Sequence, residues 1–315
     1  MPRLLALVLV VLAASAHAAE PPPAGLGHDH PLTGRIWDVA GTRFITTEAL
    51  VARLAPARFV LLGERHDNAD HHAFQARIVR ALAGAGRRPA VAFEMLGTDQ
   101  GAALAAHLER APRDAAGLGA AVGWSTSGWP PWIHYEPIAE AALSAGLPIV
   151  AANLPASTAR AVARGDLSAL DGALVRAHGL DRPASPETQA AMEREMRTAH
   201  CETLPDAIVP SLVTAQRARD AHMAERLVAG QRDGAVLIAG AGHVRTDRGV
   251  PPYLAARVPD ASVASVAFVE VASGAVAPAD YAGRFGAARL PFDFVWFTAR
   301  VDDADPCARL RGTRG

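Results

Sequence analysis

The chain has 315 residues, its 31 lysines and arginines nearly balance 32 acidic residues, and half of it is hydrophobic. That balance leaves no electrostatic footprint for nucleic acid, and the length suffices for one large or two modest domains. Two cysteines, Cys201 and Cys307, exclude a disulfide-rich scaffold and a cysteine-based zinc finger; they either pair across a long loop or stand as separate thiols.

Residues 1–18 read as a secretory signal, with Arg3, an apolar run from Leu4 to Ala14, and the small-x-small pattern Ala16-His17-Ala18. The run is too short for a membrane span, no later segment is long and apolar enough, and no cysteine stands at the cleavage point to carry a lipid. A soluble, exported, periplasmic protein is expected. Residues 19–33, rich in Pro and Gly, are expected to form a mobile arm whose His28-Asp29-His30 would bind metal only adventitiously.

Within an expected domain over residues 34–300, Gly34 to Asp38 and Arg43 to Ile45 form a small strand pair, followed by a helix from Thr47 to Leu54 with Thr46 or Thr47 as N-cap. Further strands are expected at Phe59 to Leu62, Ala90 to Phe93, Pro148 to Ala152, Val236 to Ala239, Val263 to Val269 and Phe292 to Thr298. Helical patterns lie between them, at Ala69 to Leu82, Gly101 to Arg110, Pro137 to Ser144 and Pro210 to Ala229. This alternation is the sequence form of an α/β fold, a mostly parallel sheet flanked by helices. The strandless stretch from Ala156 to Gln231 reads as an inserted helical lid subdomain, with Pro186 to His200 as a candidate contact helix, and residues 301–315 as a C-terminal tail.

The chemistry gathers where strands stop. The run to Leu62 ends in Gly63-Glu64-Arg65-His66, the next at Glu94, the third at Asn153, and the fourth in Gly240-Ala241-Gly242-His243, with Arg245 and Asp247 beyond. Any one of these is readily a turn or capping residue, but four together at the carboxyl edge of a parallel sheet point to one polar site. Asp67, Asp70, His71 and His72 read as the solvated first turn of the following helix. Trp124, Trp129, Trp132, His134 and Tyr135 crowd a Gly- and Pro-rich loop, which suggests a flat apolar surface for a planar ligand.

G-E-R-H-D-N at Gly63 to Asn68, F-E-M at Phe93 to Met95, W-I-H-Y-E-P at Trp132 to Pro137, N-L-P at Asn153 to Pro155, A-H-C at Ala199 to Cys201, Q-R-A-R-D-A-H-M-A at Gln216 to Ala224 and G-A-G-H-V-R-T-D-R-G-V-P at Gly240 to Pro251 occur in order. Together they resemble the ChaN family of exported, iron-regulated haem-binding proteins. Its superfamily includes Tiki-type proteases, TraB-like proteins and erythromycin-esterase-like hydrolases. The resemblance implies a homodimer with haem held between protomers, a role in iron or haem acquisition, and Tyr135 as iron ligand, since a hard anionic oxygen suits ferric iron. Trp132 and Trp129 would face the porphyrin, and His134, His200 or His72 would support the phenolate or the opposite face.

The hydrolase branches imply a rival. There Glu64, His66 and His243 would bind a divalent metal or act as base, with Glu94 as fourth ligand or general base and Arg245 stabilising an anion. No G-x-S-x-G elbow supplies a serine nucleophile.

Overall fold

The computed structural model describes residues 26–229, 233–305 and 307–308, so the expected signal over residues 1–18 and the arm up to residue 25 lie outside the described residues. The chain runs β1 (Ile36–Asp38), β2 (Arg43–Ile45), α1 (Thr47–Leu54), β3 (Phe59–Glu64), α2 (Ala69–Gly84), β4 (Ala90–Gly97), α3 (Gly101–Arg110), α4 (Ala115–Ala121), α5 (Trp132–Ser144) and β5 (Ile149–Asn153). It continues through α6 (Ala156–Ala163), α7 (Gly172–His178), α8 (Pro186–Ala199), α9 (Val209–Val228), β6 (Ala235–Gly240), α10 (Val250–Arg257), β7 (Val263–Glu270) and β8 (Phe294–Thr298). Local chemistry sets several boundaries. Thr46 caps α1 by accepting from the Ala49 amide, and Asn68 caps α2 by accepting from the Asp70 and His71 amides.

The eight strands form one sheet in the order β2-β1-β8-β7-β3-β6-β4-β5. All pairs from β8 to β5 are parallel, and only the β1–β2 and β1–β8 pairs are antiparallel. The expected α/β class, with a mostly parallel sheet flanked by helices, is what the structure shows. Strands β3, β4 and β6 are buried throughout or nearly so, which is why their sequences read as continuous apolar runs rather than alternating ones. Side chains such as Val60, Leu62 and Ile238 pack with α1, α2 and α5 on one face; Leu61, Leu237 and Ala239 pack with α9 and α10 on the other.

Between those layers β3 must pass close to the segment after β6. A Cβ at Gly63 would stand 2.3 Å from Val244 Cγ2 and 2.9 Å from the Ala241 Cα. Gly63→Ala is therefore expected to lower stability by about 1–3 kcal/mol, measured as a lower urea midpoint; an unchanged midpoint would show that the segment can retreat.

Three expectations need correction and one open alternative is settled. Residues 26–33, read as part of a mobile arm, are packed: Leu26 bridges to Arg300, the Gly34 amide donates to Phe297, and Leu32 is buried. At the start of α2, Asp67 is exposed as expected, but His71 and His72 are fully buried rather than solvated. Helix α5 starts at Trp132, not Pro137, so Tyr135 lies in its first turns and Pro137 inside it. The anchoring of Trp132, whose indole Nε1 donates to the Ala115 carbonyl at 3.0 Å, outweighs the helix-breaking tendency of the proline. Finally, Cys201 and Cys307 are bonded, tying the loop after α8 to the segment beyond β8.

Candidate functional site

Strand order explains why the polar strand ends meet. β3, β6, β4 and β5 are neighbours in the sheet, so Glu64, Gly240, Glu94 and Asn153 share one carboxyl edge. Glu94 sits where the β4–β5 register slips between Phe93 and Gly97. Such an irregularity re-aims a side chain that a regular strand would hold in the core.

Two histidine–carboxylate clusters occupy this edge. In the first, Glu64 Oε1 accepts from the Tyr135 hydroxyl at 2.7 Å and from His66 Nδ1 at 2.9 Å. His72 Nε2 lies 3.3 Å from the same oxygen but outside hydrogen-bond alignment, and Glu64 Oε2 is buried without a hydrogen-bond partner among the described residues. Burial opposes ionisation of Glu64, yet the adjacent His72 and the bond from His66 bring its pKa down to about 2. Tyr135, fully buried, is raised far above the usual phenol value by burial and by the Glu64 charge beside it.

In the second cluster, His243 Nδ1 donates to Asp220 at 2.5 Å and its Nε2 lies 3.1 Å from Glu94 Oε1. Arg219 donates to the same Glu94 oxygen at 2.5 Å, and the Gly240 amide donates to Glu94 Oε2 at 2.7 Å. Burial alone would lower the His243 pKa, but the Glu94 and Asp220 charges on either side hold it up at about 9. Burial pushes the Asp220 carboxyl up, and Glu94 is held well below the usual carboxylate range, against its burial, by His243 and Arg219. His66 links the clusters, its Nε2 3.8 Å from Glu94 Oε2. Gly240 makes room for that ring: a Cβ there would stand 2.9 Å from His66 Nε2.

The raised His243 pKa fixes a sign. A histidine whose folded value, about 9, lies above its ordinary value of 6.5 contributes stability that is complete below the latter and is lost as pH rises through the former. Asp220→Asn removes one of the two flanking charges, so the imidazole should titrate at lower pH by NMR and the alkaline loss of stability should shrink; an unmoved titration would remove Asp220 as a cause.

The residues anticipated from sequence are placed unequally. Glu64, His66, Glu94, His243, Tyr135 and His72 converge. Glu64, His66, Glu94 and His243, the expected divalent-metal set, instead form a hydrogen-bonded network in which Glu64 Oε1 and both Glu94 oxygens face imidazole, phenol, guanidinium or amide donors, and Glu64 Oε2 alone has no partner among the described residues. Among the described residues, no three or more His, Cys, Asp or Glu side chains are arranged to hold a metal ion. Of the aromatic loop, Trp129 reaches the site, its ring 4.7 Å from that of His66, whose side chain is 31% exposed. Trp132, partly buried, instead packs over Gly119 and against Trp124. His134 stacks behind His72 with ring centroids 5.9 Å apart. His200 caps the end of α8 and borders a cavity of about 230 Å³ that Asp220 and Gln216 also line. Arg245, expected to stabilise an anion, is buried and already held by Asp247 and the Phe285 carbonyl.

Gln216, Arg219 and Asp220 were not singled out by the strand-end pattern. Their signal is the i, i+3, i+4 spacing on α9, which puts three polar groups on one stripe of a helix buried elsewhere by Val213, Ala221, Met223, Ala224 and Leu227.

No curated protein gives a significant match to the chain. Among solved structures, ChaN of Campylobacter jejuni, described for cofacial haem binding, aligns with a TM-score of 0.64 at 21% identity, covering 83% of this chain and 95% of its own. The type III effector HopBA1 aligns at TM-score 0.42 and 14% identity, covering 91% and 99%. The erythromycin esterase EreC in its open conformation aligns at 0.38 and 14%, covering 73% and 76%. The first of these shares the fold, and the family model for haem-binding uptake, Tiki superfamily, ChaN matches residues 50–254, which takes in both histidine–carboxylate clusters and Tyr135: the chain belongs to the ChaN family.

Proposed function

We propose that the chain binds haem at the mouth formed by His66 and Trp129, with Tyr135 as the iron ligand. The observation that carries this reading is the stacking of three suitable groups at one opening: an indole and a part-exposed imidazole at the surface, and a phenol 3.4 Å from His66 Nδ1 beneath them. The donor set fits ferric haem, since a phenolate is a hard anionic ligand and an indole offers a face to the porphyrin. As folded, Tyr135 donates its proton to Glu64, so ligation requires the phenol to leave that bond and lose its proton. His66 and Trp129, the outermost members, are the groups that must move to let it through.

Haem bound at an open mouth needs a cover on its outer face. Ile133 is 65% exposed beside this mouth, and Pro131 is exposed next to it. A second copy bringing the same patch forms a homodimer with haem between protomers, which parallels the cofacial haem binding described for the Campylobacter protein. Export to the periplasm, and service in iron or haem acquisition, agree with the Cys201–Cys307 disulfide, which persists in oxidising compartments. Among the described residues no helix is long and apolar enough to cross a membrane.

Tryptophan emission tests the placement, because Trp124, Trp129 and Trp132 lie around Tyr135. Saturable quenching by haem, weakened in Trp129→Ala, is expected. Quenching that does not saturate, or that ignores the substitution, would move haem away from this mouth.

A second, hydrolytic reading is favoured by one observation: His66, oriented by Glu64, is the part-exposed base of an otherwise buried acid–base network. Metal-free hydrolysis of an ester probe, lost in His66→Ala, would support it.

A further inference from the structure

The back of α9 borders a cavity that neither haem nor the histidine–carboxylate clusters use. Asp220 faces His243, while His222, two residues on and on the opposite side of the helix, lines a space of about 660 Å³. Its walls come from Leu154 and Pro155 before α6 and, within the expected helical insertion, from Leu170 between α6 and α7 and Leu174 on α7. That volume lies within the range of small-molecule sites, which are mostly apolar with a few polar groups that fix orientation.

The polar end restricts the ligand. At the rim, Glu225 is already engaged by His178 Nε2 at 2.9 Å and by Arg257 Nε at 3.2 Å, and Asp171, exposed to solvent, caps α7 by accepting from the Ala173 amide. His222 Nε2, by contrast, is buried with no hydrogen-bond partner. An unmet buried polar atom is costly, and a ligand that meets it recovers that cost. Burial and the nearby Arg226 charge lower the His222 pKa to about 4, so the imidazole is neutral at pH 7 and offers a hydrogen bond rather than a charge. We propose that this cavity is a second binding site, for a neutral, largely apolar small molecule whose one hydrogen-bonding group seats against His222.

Nile red, a neutral apolar dye with a carbonyl acceptor, serves as the probe on the full chain. Saturable fluorescence enhancement is expected. His222→Ala should weaken it by about tenfold, and Ala177→Trp or Ala173→Trp, exposed positions on the cavity wall, should abolish it with melting temperature unchanged. Ala199→Trp on α8, outside this cavity, should leave it intact. The haem titration of the Ala177→Trp variant should match the native one, so the two sites are judged separately. Absence of saturable binding, binding indifferent to Ala177→Trp and Ala173→Trp, or binding lost in Ala199→Trp would overturn the assignment.

Discussion

Glu94→Ala is expected to destabilise the protein by about 3–5 kcal/mol, the range for breaking a buried ion pair from one side. The substitution leaves the Gly240 amide without its acceptor, Arg219 without its carboxylate, and His243 with Asp220 as its remaining anion. Each loss falls on a group that is buried or partly buried, where water replaces the missing partner poorly. Glu94→Gln separates charge from shape. It retains an acceptor for Gly240, so its stability should lie between native and Glu94→Ala, while the His243 imidazole should titrate below its native value of about 9. Urea denaturation of the three proteins, with NMR titration of His243, checks both. A Glu94→Ala protein within about 1 kcal/mol of native, the scale of a single net hydrogen bond, would mean that the network is solvated rather than structural.

The second large effect concerns the phenol. Tyr135→Phe should remove tyrosinate-type absorbance from the haem complex, because no other tyrosine stands near the mouth. Tyr281 is fully buried, its hydroxyl held by Ala272 and Ala275, and Tyr253 on α10 packs against His178 of α7, with ring centroids 5.4 Å apart. The cost to folding should be small, about 1 kcal/mol for one hydrogen bond, since Glu64 keeps the bond from His66. His66→Ala should act in the opposite sense on access: it uncovers the phenol, so haem binding persists. A full loss of haem in His66→Ala with retention in Tyr135→Phe would reverse the two roles.

Much of this arrangement was legible because the fold leaves physical marks on the chain. The runs at Phe59 and Ala235 end on glycines that the structure needs, Gly63 for the approach of Val244 and Gly240 for the His66 ring. The convergence of four strand ends followed from the general rule for parallel sheets, but their adjacency did not. The order β3-β6-β4-β5 is set by pairing between residues far apart in sequence, and no local pattern records it. Helix α5 was misplaced because Pro137 looks like a first-turn residue, while the burial of Tyr135 and the anchoring of Trp132 act from outside the segment. The sequence could not separate a metal set from a hydrogen-bonded network for a chemical reason: histidines and carboxylates look the same in sequence whether they converge on an ion or on one another. Here Glu64 and Glu94 face protonated donors. Asp220 and Arg219 stayed hidden because α9 reads first as a buried helix, and its polar stripe acquires meaning only once Glu94 is beside it.

The most direct test is a ferric haem titration of the purified chain beside Tyr135→Phe, followed by visible absorbance, with sedimentation of each end point. The account predicts saturable binding of haem by the native chain with a high-spin tyrosinate-like spectrum and a shift to dimer, and loss of that spectrum in the variant. An unaltered haem spectrum in Tyr135→Phe, or no saturable binding by the native chain, would contradict it.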